Sequence, residues 1–175
     1  MEILQRETGW LGVPVAGSEQ GLSLLARVDS IPSGWNEQVR LNRLRGGLRP
    51  LVAPPGVEQL FGDNHRLVGR MKTQPSEELF DRGVLRGIWL AVQSQLAEDA
   101  ICAWPASLST LYSTGPLPDE VHFHVVPCAE PESGYIDLDI TVYDNEGHAR
   151  LAFRDFSLRI GEPPHNIHLA EEEAA

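Results

Sequence analysis

Two closely spaced histidines give the chain its clearest metal-ligand spacing. In the stretch His122-Phe-His124 both imidazoles would lie on one face of a strand, because alternate strand residues point the same way. That spacing is compatible with zinc binding. No third ligand follows nearby in the sequence, so we interpret the pair as part of a solvated strand face. The sequence therefore predicts no bound metal.

The remaining reactive side chains fit no motif that carries chemistry. Asp137, Asp139 and Asp144 lack the glycine and glutamate spacing of a calcium loop, and we interpret them as the polar side of a strand that leads into a turn. Cys102 and Cys128 have no activating neighbour in sequence. We expect both cysteines to be packing residues.

An arginine in an apolar segment raises a different question. The stretch "FDRGVLRGIWLAVQ" has the pattern of a buried helix, yet it carries Arg82 and Arg86. A buried cation needs a partner, because an unpaired one costs several kcal/mol. Arg86 could hold a carboxylate or a phosphate group, to which arginine is well suited. Alternatively its stem covers apolar surface while the guanidinium reaches water.

Four arginines without an accompanying acid form a local exception in an acidic chain. They lie in "QVRLNRLRGGLRP", and we call them the arginine strip: Arg40, Arg43, Arg45 and Arg49. Surface charge runs are commonly solvated strand edges or loops. The alternative is a docking surface for an acidic partner, because complementary charges steer association.

Composition excludes several classes of protein. The 175 residues suit one domain, or one domain with an extension, and 42% of them are hydrophobic, enough for a core. The net charge of −11 argues against a nucleic-acid binder. No apolar run approaches the ~20 residues that span a bilayer, and the first residues lack a signal-peptide pattern. We expect no membrane association, and a cytoplasmic protein with reduced thiols.

The pattern along the chain predicts an α+β fold with a long central helix. Ser76 and the acids after it suit a helix start, and apolar spacing continues to Ala97. Residues 38–45 alternate as a half-exposed strand would. Further strands are predicted on both sides of the helix, and the last two form a hairpin around Asp144–Gly147. A helix against an antiparallel sheet is the expected architecture.

This order of elements, with three particular stretches, resembles the hotdog fold. The stretches are "VEQLFGDNHRLVGRM", "FDRGVLRGIWLAVQ", and "WPASLSTLYSTGPLPDEVHFHV" followed by "IDLDITVYDNEGHARLAFRDFSLR". They are similar to the C-terminal half of the double-hotdog dehydratase domains of polyketide synthases, over roughly Val57 to Ile160. We therefore divide the chain into an N-terminal extension or extra strands (1–50), a hotdog domain (51–163) and an acidic tail (164–175).

The resemblance implies a catalytic histidine and a carboxylic acid. His65, Gly69 and Pro75 resemble the family's His-x-x-x-Gly-x-x-x-x-Pro pattern, with one extra residue before the proline. With His65 as base, Glu78 and Asp81 are the candidate acids. Aligning the helix-start motif places Arg86 where the family has its aspartate and Leu90 where it has its glutamine. Arg86 and Trp89 are then expected to contact the substrate.

Two functions follow from the resemblance, and both stay open at this stage. The first is an enzyme that dehydrates, isomerises or cyclises a β-hydroxyacyl or enoyl chain. The second is an inactive or repurposed dehydratase-like domain that binds such a chain or braces a synthase module, for example one that assists chain branching. In either case the substrate rides on the phosphopantetheine arm of an acyl carrier protein, and no other cofactor is needed. Other synthase domains and a second copy in a homodimer are the expected partners, and the arginine strip is the expected carrier-docking surface.

Overall fold

The elements run in the predicted order of strands, one long helix and further strands. The structure is a computed structural model, and it describes residues 10–14, 23–29, 35, 37–74, 82–114, 116–128 and 134–161. The helices are α1 (Leu41–Arg45) and α2 (Arg82–Glu98). The strands are β1 (Trp10–Pro14), β2 (Ser23–Asp29), β3 (Arg49–Leu51), β4 (Gln59–Gly62), β5 (Leu67–Lys72), β6 (Ala103–Ser113), β7 (Glu120–Pro127), β8 (Tyr135–Tyr143) and β9 (Ala149–Ile160).

All nine strands belong to one sheet, in the order β1-β2-β6-β9-β8-β7-β5-β4-β3. Neighbouring strands are antiparallel except for β2 and β6, which pair in parallel. β1 and β2 extend the sheet at one edge, and β3 ends it at the other. In the part of the chain that the structure describes, α2 is the one long helix. The predicted α+β class is therefore confirmed.

Helix α2 packs its apolar face on the sheet, as its spacing predicts. Trp89 and Val92 are only 7% and 6% exposed, so their predicted burial is confirmed. Gly87 lets the sheet come close, because a Cβ at this position would lie 2.7 Å from the Met71 Cε atom. Burying an apolar side chain such as that of Val92 stabilises the fold by about 1.5–3 kcal/mol. The predicted start of the helix at Ser76 lies outside the described residues.

Two polar side chains of α2 join the helix to the beginning of β6. The Trp89 Nε1–H donates to the Ala103 carbonyl oxygen at 3.1 Å. The Gln93 side-chain amide donates to the Ile101 carbonyl oxygen at 3.1 Å and accepts from the Ala103 N–H at 2.9 Å. These bonds satisfy the backbone polar groups of Ile101 and Ala103, which would otherwise be buried without hydrogen-bond partners.

The prediction of a strand over residues 38–45 is wrong, because α1 occupies most of this range. The apolar residues Leu41 and Leu44 of α1, and Leu48 just after it, are half-buried and have a helical spacing. The alternation of Val39 and Leu41 with their direct neighbours hid this spacing. We call residues 37–48 the strap. One end is tied to the β8–β9 turn, where the Val39 N–H donates to the Gly147 carbonyl oxygen at 3.0 Å.

The other end of the strap lies over β4 and β5, on the face of the sheet that points away from α2. The Arg45 guanidinium stacks over the Phe61 ring at 5.5 Å from its centroid. The Arg66 Nη2 donates to the Gly46 carbonyl oxygen at 3.0 Å. Phe61 alternates along β4 with the core residue Leu60, so its ring faces away from the helix. The strap thus covers part of the outer face of the sheet.

The predicted β8–β9 hairpin is confirmed, and its turn depends on a glycine. Gly147 has a φ of +89°, and a Cβ there would overlap the Val39 carbonyl oxygen of the strap. Asp144 is 6% exposed and accepts hydrogen bonds from the Glu146 and His148 amides and from the Arg150 Nε. Burial alone would raise the pKa of Asp144, but these bonds outweigh it and hold the pKa below its ordinary value.

We predict that Gly147→Ala destabilises the protein far more than Gly134→Ala. Both glycines have a φ near +90°, but only Gly147 lies against another segment, whereas a Cβ at Gly134 would meet nothing within 4 Å. The unfavourable backbone conformation alone costs about 1 kcal/mol, and overlap with the strap adds about 2 kcal/mol. Urea denaturation of both variants checks the difference. Equal losses of the free energy of unfolding would show that the strap does not press on Gly147.

Candidate functional site

A cavity of about 740 Å³ opens at one end of the sheet. It lies between the second half of α2, the β4–β5 turn, the end of β7 and the beginning of β8. Its apolar walls are formed by Leu67, Val92, Leu96, Val125, Ile136 and Leu138. Polar groups lie at its rim and come mainly from the β4–β5 turn. Apolar walls with a few polar groups are typical of small-molecule sites.

The β4–β5 turn at this rim is held by Asp63. Its Oδ1 accepts the N–H groups of His65 at 2.7 Å and Arg66 at 3.0 Å. These hydrogen bonds, the one from His65 first, hold the pKa of Asp63 below its usual value. Asp63 is therefore a charged turn residue and an unsuitable proton donor near neutral pH.

His65 is exposed and lines the cavity from this turn. The structure gives a packing reason for Gly69, the glycine that follows it in the His-x-x-x-Gly pattern. A Cβ at Gly69 would overlap the ring of Phe123 on the neighbouring strand β7. The glycine is thus required by the core whether or not His65 is catalytic. Pro75, the last residue of the pattern, lies outside the described residues.

The two candidate acids, Glu78 and Asp81, also lie outside the described residues, so their distance to His65 stays a prediction. Arg86 is exposed on α2, and the expectation that it is a buried cation is wrong. Its guanidinium forms no ion pair or hydrogen bond with another described residue, and Arg86 does not line the cavity. Trp89 is a core residue that bonds to β6, and it does not line the cavity either. Their contact with a substrate therefore has no support from this geometry.

The arginine strip is mostly exposed, and the end that carries Arg45 lies near the cavity rim. Arg40, Arg43 and Arg49 are exposed, whereas Arg45 is half-buried over Phe61. No strip residue forms an ion pair with an acid in the described ranges. The strip reaches the cavity rim through a residue outside it. Arg66 lines the cavity and donates to Gly46, one residue beyond Arg45.

Arg66 is the site residue that sequence reasoning missed. Its position in "DNHRLVGRM" gave only a turn after Asp63, and a side-chain contact across 20 residues leaves no periodic signal. The arginine-rich segment "QVRLNRLRGGLRP" was visible from composition. Its proximity to the β4–β5 turn follows only from the path of the strap over the sheet.

Cys128 lies at the rim with two carboxylates, Asp139 and Asp155. The Sγ atom and carboxylate oxygens of these three residues lie within 4.8 Å of one another. Asp155 has a φ of 52° at a register irregularity between β8 and β9, and its N–H donates to the Asp139 Oδ1 at 3.1 Å. Burial, followed by the hydrogen bond to Asp139, raises the pKa of the Cys128 thiol to about 12. A cation would have to displace the thiol proton to bind here.

The two histidines of β7 lie on the face of the sheet opposite α2. Val121, Phe123 and Val125, which alternate with them, belong to the core. The His122 Nε2 lies 2.9 Å from the Asn145 Oδ1 of the β8–β9 turn. The His124 Nε2 is buried and has no hydrogen-bond partner. Burial, and then the charge of Arg66, lower the pKa of His124.

Comparison with solved structures shows the hotdog fold of polyketide synthase dehydratase-like domains. A trans-acyltransferase polyketide synthase enoyl-isomerase matches with a TM-score of 0.63 at 11% identity, over 70% of this chain and 56% of its own. The dehydratase domain from the CurH module of curacin polyketide synthase matches with a TM-score of 0.57 at 15% identity, over 71% and 53%. A bifunctional dehydratase-cyclase domain in ambruticin biosynthesis matches with a TM-score of 0.55 at 14% identity, over 67% and 49%.

The predicted resemblance and hotdog fold are thus confirmed at the level of the fold. The chain spans about half the length of the solved structures that it matches. No protein-family model and no curated protein matches the chain. Among the described residues, no helix is long and apolar enough to cross a membrane.

We predict that Cys128 resists alkylation although it is exposed. With a pKa of about 12, roughly one thiol in ten thousand is ionised at pH 8, and the thiolate is the reactive form. Asp139→Asn with Asp155→Asn removes the neighbouring negative charges and should accelerate labelling at least tenfold. Mass spectrometry of iodoacetamide-treated protein measures the rate at Cys128, and unfolded protein gives the reference rate. Labelling of the native protein at the unfolded rate would contradict the prediction.

Proposed function

We propose that this protein is a dehydratase-like hotdog domain that receives a polyketide acyl chain from an acyl carrier protein. The observation that carries the proposal is the contact between Arg66 and Gly46, which joins an apolar cavity to an exposed arginine strip. A carrier-bound chain has the matching parts, which are an apolar acyl group, a phosphopantetheine arm and an acidic protein.

The cavity suits the acyl group in size and chemistry. Its volume of about 740 Å³ lies within the range of ~300–1,000 Å³ that is typical of small-molecule sites. The walls come from α2, β7 and β8, which belong to the rigid core, and this favours a preformed site. Asp137 and Gln95 at the rim provide polar contacts for oxygen atoms on the chain.

The strip suits the carrier and the phosphate of its arm. Guanidinium groups bind phosphate and carboxylate oxygens through paired N–H donors. Arg66 uses one of its donors on the Gly46 carbonyl, which leaves other N–H groups for an anion that passes from the strip into the cavity. The proposal moves the phosphate contact from Arg86, which is exposed elsewhere on α2, to Arg66.

The described residues favour binding over dehydration. Dehydration of a β-hydroxyacyl thioester needs a base and a protonated acid to expel the hydroxyl. Asp63, the carboxylate nearest to His65 in sequence, is held in its charged form. Arg86 cannot replace an aspartic acid as proton donor, because a guanidinium group keeps its protons in proteins. We therefore infer a repurposed or inactive domain that holds the chain.

A dehydratase, isomerase or cyclase is the second candidate function. It is favoured by one observation, the position of His65 at the cavity rim. Glu78 or Asp81 would supply the acid, from the same chain or from a second copy in a homodimer. This chain covers only about half of each matched structure. A second hotdog could therefore equally come from another synthase domain.

Charge reversal in the strip tests carrier docking. Arg40→Glu with Arg43→Glu should weaken binding of an acidic acyl carrier at least tenfold at low salt, because like charges then face each other. The loss should shrink as salt screens charges beyond a Debye length of ~8 Å. Titration calorimetry measures the affinity. Arg159→Glu, which changes an exposed arginine of β9, is the matched control. If Arg159→Glu and the strip variant lose the same affinity, docking at the strip is refuted.

Water loss from the acyl chain separates the two candidate functions. We expect a β-hydroxyacyl chain on its carrier to keep its mass in the presence of the protein, and His65→Ala to change nothing. Arg86→Asp should gain no activity, because residue 86 is exposed and does not line the cavity. Mass spectrometry of the acyl carrier detects loss of one water. Rapid water loss that falls ~100-fold or more in His65→Ala would instead establish the dehydratase.

A further inference from the structure

The strap is attached to the sheet by contacts at its two ends. At the β8–β9 turn, Val39 donates to Gly147, and the Gln38 Nε2 donates to the Glu146 carbonyl oxygen at 2.6 Å. At β4 and β5, Arg45 stacks on Phe61, and Arg66 holds the Gly46 carbonyl. None of the residues of α1 is fully buried. The strap is therefore an outer layer with few contacts, which is the kind of segment that opens locally.

His124 lies on the face of the sheet that this layer covers. Its paired residue on the neighbouring strand β5 is Val68, whose side chain also points away from α2. Val68 is nevertheless only 3% exposed. Another part of the chain must therefore cover Val68 on this face. Val68 pairs with Phe61 of β4, and the strap residue Arg45 stacks over the Phe61 ring. The His124 Nε2 is buried beside them without a partner.

The groups around His124 are unfavourable to an added positive charge. β5 contributes Arg66 and Arg70, and the strap contributes Arg40, Arg43 and Arg45. On β7 the titratable groups of this face are His122 and Glu120, and on β8 they are Asp139 and Tyr143, on either side of the paired residue Thr141. From β9, the Arg154 Nη1 donates to the Thr141 Oγ1 at 3.3 Å. Asp139 is engaged by the Asp155 N–H and lies beside the Cys128 thiol. Arg70 is already paired with Glu58 and Glu120. The cation whose charge acts on His124 is therefore Arg66.

We propose that protonation of His124 releases the strap from the sheet and so withdraws the arginine strip from the cavity rim. An imidazolium beneath the strap would be desolvated, would lack an acceptor at Nε2, and would repel Arg66. Opening the strap admits water to the imidazolium and separates it from the strap arginines. Loss of the contact between Arg66 and Gly46 then uncouples the strip from the cavity.

The direction of the pH dependence follows from linkage. Because the pKa of His124 is lowered in the closed form, the open form binds more protons below the ordinary imidazole value of ~6.5. The closed form is fully stable above that value and loses stability as the pH falls through it toward the lowered value. Between the two values, the opening equilibrium should shift by at most about tenfold for each pH unit.

The consequence for carrier binding rests on the proposed function, whereas release of the strap does not. Hydrogen exchange of the strap amides tests the release without any carrier. The amides of Val39, Leu44 and Leu48 all donate in backbone hydrogen bonds of the closed strap. After correction for intrinsic exchange, we expect their protection to fall by up to about fivefold between pH 6.5 and 5.5, while the amides of Leu111 and Ala152 in the central strands keep theirs.

Two variants decide whether His124 is the titrating group. His124→Phe is neutral at every pH and should make the protection of the strap independent of pH over this range. His65→Gln removes an exposed histidine near the same arginine and should behave as the wild type does. Strap protection that is unchanged by pH in the wild type, or that falls equally in His124→Phe, would overturn the proposal.

The carrier experiment is separate and has its own outcome. If the proposed function holds, affinity for an acidic carrier should fall between pH 6.5 and 5.5 in the wild type by the same factor as the strap protection, and should stay constant in His124→Phe. Release of the strap without any carrier binding would leave the His124 proposal intact and refute the proposed function. Carrier binding without strap release would leave the proposed function intact and refute the His124 proposal.

Discussion

The apolar face of α2 has to be covered, and the nine-stranded sheet covers it. Val84, Leu85 and Ile88 have no exposed surface, and Gly87 brings the sheet close enough to exclude water from them. This packing commits one face of every central strand to the core. The side chains that alternate with the core residues must then lie on the opposite face, which is why β7 carries polar histidines between Val121, Phe123 and Val125.

That division of the strands produces both features of the candidate site. The second half of α2, the end of β7 and the beginning of β8 enclose an apolar cavity. On the other face, the strap covers β4 and β5 and brings the arginine strip to the cavity rim through Gly46 and Arg66. The cavity and the basic surface thus arise from opposite faces of one sheet, and they meet at the β4–β5 turn, where Asp63 fixes the backbone.

Much of the fold was predictable from the sequence because it depends on local periodicity. The long helix, the β8–β9 hairpin and the burial of Trp89 follow from spacing alone. Residues 38–45 of the strap were mistaken for a strand, since Val39 and Leu41 alternate with Arg40 and Asn42. Leu41, Leu44 and Leu48 nevertheless follow a helical period. The position of His65 at a cavity was foreseen only through a family pattern. Arg66 and the burial of His124 depend on contacts between distant segments, and no local pattern encodes them.

The central claim is that this cavity receives an acyl chain from a carrier that docks on the arginine strip. Hydrogen exchange of the protein with an apo carrier and with an acyl-loaded carrier tests it most directly. The account predicts that both carriers protect the strap, and that only the loaded carrier also protects His65–Leu67 and Val125–Cys128, which line the cavity. The account would be contradicted if the loaded carrier protected neither of these cavity segments, or if it protected another part of the sheet instead.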